Sequence, residues 1–92
     1  MITAKTNDGF EIELDEDFLD DAEMLEALVN AKDNVTATFI LRDNMLDAEN
    51  KKRLYDHLRN KKGKVSFRAL DDAVSELVSS FKAGKNSASS PN

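Results

Sequence analysis

Residues 67–82 read FRALDDAVSELVSSFK, and this stretch decides the fold. Its large apolar residues recur at intervals of three and four, the spacing that aligns side chains along one face of an α-helix. They are Phe67, Leu70, Val74, Leu77 and Phe81, with Val78 beside them. Ser66 stands directly before this stripe, where a hydroxyl caps a helix N-terminus. The pattern predicts a helix over residues 67–82.

This apolar stripe has two interpretations. The more common one is that the stripe faces the core of the domain. The other is that it lines an exposed groove for a partner protein. We therefore treat the five residues of the stripe as candidates for protein interaction.

Two helices are predicted between the N-terminal region and residue 46. The first covers residues 17–31. Its apolar residues are Phe18, Ala22, Leu25, Leu28 and Val29. The second covers residues 35–46, after a break and cap at Asp33 and Asn34. Its apolar positions are Val35, Phe39, Ile40 and Leu46. Residues 35–40 are rich in β-branched side chains, so a strand is an alternative there.

A further helix is predicted over residues 48–60, with Asp47 as its cap. Leu54, Tyr55 and Leu58 share one side of it, and the segment around Gly63 ends it. At the N-terminus, residues 2–6 and 10–14 flank a turn at residues 7–9 and predict a β-hairpin. Because an isolated two-stranded hairpin is marginal in water, we expect it to lie against helices or to pair with another chain through its edge.

These elements predict a mainly helical α+β fold, in which an N-terminal β-hairpin is followed by about four helices. Residues 1–83 are expected to form a single domain. Residues 84–92 contain no large apolar side chain, and we predict that they form a flexible, disordered tail.

Composition limits the classes of function. A chain of 92 residues fits one small domain with a modest core. The absence of cysteine excludes disulfides, thiolate metal sites and cysteine nucleophiles, and favours the cytoplasm. No apolar run reaches the roughly 18 residues of a membrane span, and no signal-peptide pattern opens the sequence.

Charge is divided between the two halves of the chain. Residues 1–50 carry 14 acidic and 3 basic residues, a net charge of -11, whereas residues 51–92 carry 4 and 10, a net charge of +6. The two halves either attract each other within one molecule or favour head-to-tail contact between molecules. The candidate contact residues are Asp20, Asp21, Glu23, Glu26, Lys52, Arg53, Arg59 and Lys62.

No pattern typical of catalysis, a cofactor or a metal site is present. His57 is the only histidine, and without cysteine partners it is a poor zinc ligand. The acidic residues lack the glycine-centred spacing of a calcium loop. We therefore predict a protein that is not an enzyme. The alternative is a small nucleic-acid-binding or regulatory factor that uses the basic segment 51–64, although the acidic first half would repel a polyanion.

Several parts of the sequence, from residue 9 to residue 81, resemble a known family. Residues 51–59 read KKRLYDHLR and are followed by Gly63, Val65, Glu76, Leu77 and Phe81, while residues 9–15 read GFEIELD and residues 19–23 read LDDAE. These residues are similar to the tail assembly chaperones of long-tailed, siphovirus-type bacteriophages and prophages of Gram-positive bacteria. The resemblance covers nearly the whole chain except the tail. Ser66 stands where the commoner form has proline.

The resemblance implies a role in holding another protein. In similar phages the chaperone coats the long, helical tape measure protein, keeps it soluble and helps recruit tail tube subunits. It acts in the host cytoplasm and is absent from the mature virion. A longer product made by ribosomal frameshifting contacts the tail tube protein. The family contributes no catalytic residues.

Overall fold

The N-terminal strands form the predicted hairpin in the computed structural model, which describes residues 1–88. Strand β1 (Ile2–Lys5) pairs antiparallel with β2 (Glu11–Leu14), so that Ile2 lies opposite Leu14 and Lys5 opposite Glu11. Gly9 has a φ of 98°, a conformation that glycine adopts without steric cost. Every second residue of each strand is buried, so one face of the hairpin lies against the helices.

Four α-helices follow the hairpin, which confirms the predicted fold class. They are α1 (Ala22–Asn30), α2 (Val35–Met45), α3 (Ala48–Leu58) and α4 (Phe67–Ala88). Three caps lie where the sequence predicts them. Asn34, Asp47 and Ser66 each accept a hydrogen bond from a backbone N–H in the first turn, over 2.9, 2.8 and 3.1 Å. Residues 35–40 are therefore helical, and the strand alternative is wrong.

Helix α4 lies along the hairpin and forms the centre of the core. Phe81, Leu77 and Leu54 are fully buried, together with Leu41 from α2. Side chains of α4 also bond the strand backbone. The Lys5 N–H, at the outer edge of β1, donates to the Ser80 hydroxyl over 3.0 Å. This backbone donor at the edge of the sheet is therefore paired.

The first predicted helix differs from the structure in its extent and in its buried face. A short 3-10 turn at Phe18–Asp20 comes first, and α1 begins only after Asp21, whose carboxylate accepts from the Glu23 N–H. Met24 and Ala27 are the buried residues. Of the predicted apolar residues, Phe18 and Leu28 pack partly buried against the core, whereas Leu25 is 46% exposed and Val29 76% exposed. The predicted apolar face was therefore wrong at Leu25 and Val29.

Helix α2 shows the same kind of difference. Its buried residues are Ala37, Thr38, Leu41 and Met45. The hydroxyl of Thr38 donates to Asp71 of α4 over 2.9 Å, and this bond allows a polar side chain to be fully buried. Of the predicted apolar positions, Leu46 is buried and Phe39 partly buried, whereas Val35 and Ile40 are exposed.

Helix α4 extends beyond its predicted end near residue 82. It continues through Ala88, so residues 84–88 of the predicted tail are helical. Two contacts explain the extension. Gly84 approaches Ile2 so closely that a Cβ added at Gly84 would lie 2.8 Å from Ile2 Cγ2, and the Lys85 ammonium donates to the Glu16 carbonyl over 2.7 Å. The remainder of the predicted tail, residues 89–92, lies outside the described residues.

Candidate protein-interaction surfaces

The structure divides the predicted interaction stripe of α4. Leu70, Val74, Leu77 and Phe81 are each at most 2% exposed and belong to the core. The interpretation of these four residues as an exposed docking stripe is therefore corrected, although Leu70 and Val74 each reach the bottom of a surface pocket. Phe67 is 38% exposed and lies at the surface. The difference arises because the hairpin and α2 cover the stripe beyond its first turn.

A shallow apolar groove lies between α1 and α4. Its volume is about 160 Å³, and we call it the α1/α4 groove. It is lined by Leu28, Ala31, Lys32, Thr38, Leu41, Asp71, Val74, Ser75 and Val78. Thr38 and Leu41 come from α2, which lies between the other two helices and forms the floor. The groove has the form in which an apolar helix docks against two neighbouring helices.

Exposed apolar side chains extend this groove along α1. Leu25, Leu28 and Val29 are spaced by three and one residues, which places them on one face of α1, and Lys32 follows the end of the helix. Leu28 and Lys32 line the groove, so Leu25 and Val29 continue its α1 wall toward solvent. Burial of Leu25 and Val29 by a partner would stabilise the complex through the hydrophobic effect.

A second surface is an aromatic cleft where α2, α3 and the start of α4 meet. Its volume is about 180 Å³. It is lined by Phe39, Tyr55, Val65, Ser66, Phe67 and Leu70. The rings of Phe39 and Phe67 meet edge to face, with centroids 5.6 Å apart. Sequence periodicity missed this cleft because its three aromatic residues come from three different helices.

Arg42 stiffens the wall of the aromatic cleft. Its guanidinium lies 4.8 Å from the centroid of the Phe39 ring and donates to the Tyr55 hydroxyl over 2.7 Å. Asp43 pairs with the same guanidinium at 2.7 Å. Burial alone would lower the pKa of Arg42, but the bonds to Asp43 and Tyr55 outweigh it and the pKa is raised. Arg42, paired with Asp43, therefore holds the rings of Phe39 and Tyr55 in place beside the cleft.

The acidic residues predicted for contact lie together around the start of α1. The Asp21 carboxylate caps the N-terminus of α1. A carboxylate oxygen of Asp20 lies 3.5 Å from the ammonium nitrogen of Lys85. Glu23 and Glu26 are exposed and form no ion pair within residues 1–88. They line a groove of about 210 Å³ between α1 and α2, which we call the acidic groove. Its other lining residues are Ala27, Asn30, Asn34, Ala37 and Ile40.

The predicted basic residues lie on and after α3. Lys52 and Arg59 both pair with Asp56, over 2.9 and 3.1 Å. The Arg53 guanidinium lies 5.0 Å from the centroid of the Phe10 ring. Lys62 is exposed in the loop after α3. Within the described residues, none of these four cations pairs with the predicted acidic set, so pairing of these two sets within one molecule does not explain the division of charge.

The hairpin turn is joined to α3 through Asp8 and His57. The Nε2 atom of His57 lies 3.0 Å from an Asp8 carboxylate oxygen, and its ring lies 5.6 Å from that of Phe10. The Thr6 hydroxyl donates a hydrogen bond to the Asp8 carboxylate, and His57 forms a second bond with it. The bond from Thr6 is the larger cause and the bond from His57 the second, and together they hold the pKa of Asp8 below its ordinary value of 3.8. His57 therefore has a structural role in fixing the hairpin.

This arrangement predicts a pH-dependent loss of stability. Because the pKa of Asp8 is lower in the folded chain, its carboxylate stabilises the fold above pH 3.8, and this contribution is lost as pH falls through the folded pKa. The side chain is 66% exposed, so solvent screening keeps the effect small. We expect Asp8→Asn to lower the free energy of unfolding by about 0.5–1 kcal/mol near pH 6 and by almost nothing near pH 3.

Urea unfolding at the two pH values measures this difference. The matched control is Asp33→Asn, because the Asp33 side chain forms no hydrogen bond or ion pair within residues 1–88. If Asp8→Asn lowered the free energy of unfolding equally at both pH values, the stabilisation could not come from the lowered pKa of Asp8.

Residues 1–88 were also compared with the requirements of a metal site and of a membrane-spanning helix. Within residues 1–88, no group of three or more histidine, cysteine, aspartate or glutamate residues is arranged to hold a metal ion. No helix in this range has both the length and the apolar character needed to cross a bilayer.

Comparison with known proteins identifies no relatives. No family model matches the chain, and neither the curated proteins nor the solved structures contain a significant match.

Proposed function

We propose that this chain is a tail assembly chaperone that binds apolar helical segments of a phage tape measure protein and keeps that protein soluble. The observation that carries the proposal is the α1/α4 groove with Leu25 and Val29 exposed beside it. Within the described residues, Leu25 and Val29 belong neither to the buried core nor to the side chains packed against it. A helix from another protein would cover them.

The fit to a helical partner follows from the shape and lining of the groove. Two helices form its walls and α2 forms its floor, so an added helix would pack against all three. Apolar side chains dominate the lining, and Lys32 and Asp71 supply one charge of each sign. An apolar helix with few charged residues suits such a surface better than a charged one does. A long partner with several such segments would bind several copies and gain avidity.

The acidic surface supports a holding role. Glu23 lies on a different face of α1 from Leu25 and Val29, whereas Glu26, three residues before Val29, lies at the border of the two faces. A bound copy would therefore keep Glu23 in water, and the net negative charge would help to disperse an otherwise insoluble complex. The proposal places the protein in the host cytoplasm and outside the mature virion. Recruitment of tail tube subunits, through a frameshifted longer form, belongs to the same proposal.

Co-expression with the tape measure protein encoded in the same phage tests the proposal. We expect the wild-type chain to raise the soluble yield of that protein and to elute with it. Leu25→Ser combined with Val29→Ser should lower the co-eluting fraction about tenfold, because two exposed apolar anchors are lost. Quantitative gel filtration measures both fractions.

The control is Val35→Ser, which changes an apolar residue of similar exposure on another face of the molecule. It should leave the co-eluting fraction unchanged. Equal soluble yield with and without the wild-type chain, or equal losses for the control and the groove variant, would reject the proposal.

A further inference from the structure

The outer edge of β2 carries backbone groups that have no hydrogen-bond partner within residues 1–88. The Thr6 N–H donates to the Phe10 carbonyl over 2.8 Å, and bonded pairs recur at every second residue of an antiparallel ladder. Glu11 and Glu13 fall between the bonded pairs, so their N–H and C=O groups point away from β1. No donor or acceptor of the described chain reaches these groups.

The opposite edge of the hairpin lies against α4. Lys5 is the partner of Glu11 in the ladder, and its outward N–H bonds the Ser80 hydroxyl. Ile2, at the other end of β1, contacts Gly84. The open edge of the hairpin is therefore that of β2. A strand edge with unpaired donors and acceptors is a template for one further strand.

A pocket of about 420 Å³ continues this edge at the open end of the hairpin, and we call it the β2 pocket. Leu14 from the buried face of β2 and Glu13 from its exposed face both line the pocket, so it lies beside the strand and not over one face. Buried side chains of Leu14, Met24 and Met45 form its apolar part. Methionine adapts its shape to different side chains, which suits a surface that receives a partner.

Acidic side chains surround the edge and the pocket. Six exposed carboxylates lie there, and none of them forms an ion pair within residues 1–88. The ammonium group of Met1, beside the pocket, is already paired with Glu16 over 2.6 Å. The six acidic residues are Glu11, Glu13, Asp15, Asp17, Asp21 and Asp47.

We infer that an extended segment of another protein, in which basic and apolar residues alternate, adds to β2 as a third strand. Its backbone bonds the free N–H and C=O groups of Glu11 and Glu13. Because side chains alternate between the two faces of a strand, the basic ones lie opposite the two glutamates and the apolar ones point toward the β2 pocket. The backbone bonds supply affinity, and the alternation of side chains supplies specificity.

A second copy of this chain does not suit the same edge. Antiparallel pairing of two β2 strands about Ile12 would place Glu11 of each copy opposite Glu13 of the other. Like charges directly opposite each other destabilise a strand pair. The edge that carries Lys5 lies against α4 and is not open to a neighbour. A different protein with basic side chains is therefore the occupant that the charges favour.

The β2 pocket and the α1/α4 groove have no lining residue in common. The inference is independent of the proposed function, because a basic strand can bind β2 whether or not a tape measure helix binds the groove.

Amide hydrogen exchange followed by NMR tests the inference on the full chain. The probe is a synthetic peptide of about nine residues in which lysine and valine alternate, long enough to span β2. In the free chain the Glu11 and Glu13 amides should exchange rapidly, whereas the Ile12 amide is bonded to β1. At saturating peptide, exchange of the Glu11 and Glu13 amides should slow at least about tenfold, and that of Ile12 should change little.

Two methylated peptides separate strand pairing from simple charge attraction. In an antiparallel pair the N–H groups of the lysines opposite Glu11 and Glu13 face β2, and those of the valines face away. N-Methylation of the lysine amides should weaken binding at least about tenfold, because backbone hydrogen bonds are lost. N-Methylation of the valine amides is the matched control, since it keeps the same charge and should leave binding nearly unchanged. Isothermal titration calorimetry measures both dissociation constants.

Charge reversal tests the chemistry of the partner. Glu11→Lys with Glu13→Lys should weaken binding of the lysine–valine peptide at least about tenfold and allow a glutamate–valine peptide to bind instead. The control is Asp33→Lys with Asp72→Lys, which makes the same charge change at exposed residues outside β2 and its pocket. At about 0.15 M salt it should weaken binding at most about twofold, because distant charges are screened. Circular dichroism melting of each variant identifies any loss of folding.

Four results would overturn the inference. Slow exchange of the Glu11 and Glu13 amides in the free chain would show that their edge is already covered. Unchanged exchange at about 1 mM peptide would show that no strand adds there. Equal binding of the two methylated peptides would reduce the contact to charge attraction. Equal losses for the two pairs of charge reversals would show that net charge alone governs binding.

Discussion

Phe81→Ala is expected to lower the free energy of unfolding by about 3–5 kcal/mol, the cost of removing a large buried ring and leaving a cavity. Phe81 is completely buried, and its ring meets that of Phe18 edge to face with centroids 5.8 Å apart. A domain of this size has a total stability of roughly 5–10 kcal/mol, so the variant should be close to unfolding at 37 °C. Urea unfolding followed by circular dichroism measures the loss.

Phe67→Ala is the matched control from the same stripe of α4. Phe67 is 38% exposed, and its ring contacts that of Phe39. Phe67→Ala should therefore lower the free energy of unfolding by about 1–2 kcal/mol. Equal destabilisation by the two variants would contradict the division of the stripe into core and surface.

The helices of this chain could be predicted because their ends are encoded locally. Asn34, Asp47 and Ser66 each cap the helix that follows, and the interactions involve residues two or three positions away. The hairpin was predictable for the same reason, since Gly9 closes a short turn between alternating strands. Such signals are independent of the tertiary structure.

The buried faces of α1 and α2 could not be predicted from apolar spacing. Spacing favours the largest side chains, yet the core of these helices contains Ala27, Ala37 and Thr38. Small residues allow two helices to approach closely, and the Thr38 hydroxyl is satisfied by Asp71 from a distant part of the chain. Leu25 and Ile40 are left at the surface as a consequence.

The candidate surfaces required the tertiary structure for a similar reason. The aromatic cleft combines Phe39, Tyr55 and Phe67 from three helices, and no local pattern relates them. The division of charge was visible in the sequence, but the sequence left open whether the two halves pair within one molecule. The structure shows that Lys52 and Arg59 pair with Asp56 of their own helix. Glu23 and Glu26 of the acidic groove consequently have no ion pair within residues 1–88.

Gly84→Leu is expected to destabilise the fold by about 1–3 kcal/mol, the usual cost of inserting a side chain into a packed site. Even a Cβ at this position would lie 2.8 Å from Ile2 Cγ2, closer than any normal carbon contact. Ile2 cannot turn aside easily, because its χ1 is stiff and β1 is held in register with β2. The higher helix propensity of leucine, about 1 kcal/mol better than glycine, offsets only part of this cost.

Ile2→Ala supplies the test of this explanation through a double-mutant cycle. Alone, Ile2→Ala should cost about 2–4 kcal/mol, because it leaves a cavity beside Gly84. The leucine of Gly84→Leu would fill that cavity, so the double variant should be more stable than the sum of the two single losses by at least about 1 kcal/mol. Thermal and urea unfolding of the four proteins measures this coupling. Additive losses, or an unchanged stability for Gly84→Leu, would instead favour a tail that separates from the domain at residue 84. Coupling would establish that the domain extends beyond residue 83, so any longer form of the protein would have to join the chain after this contact.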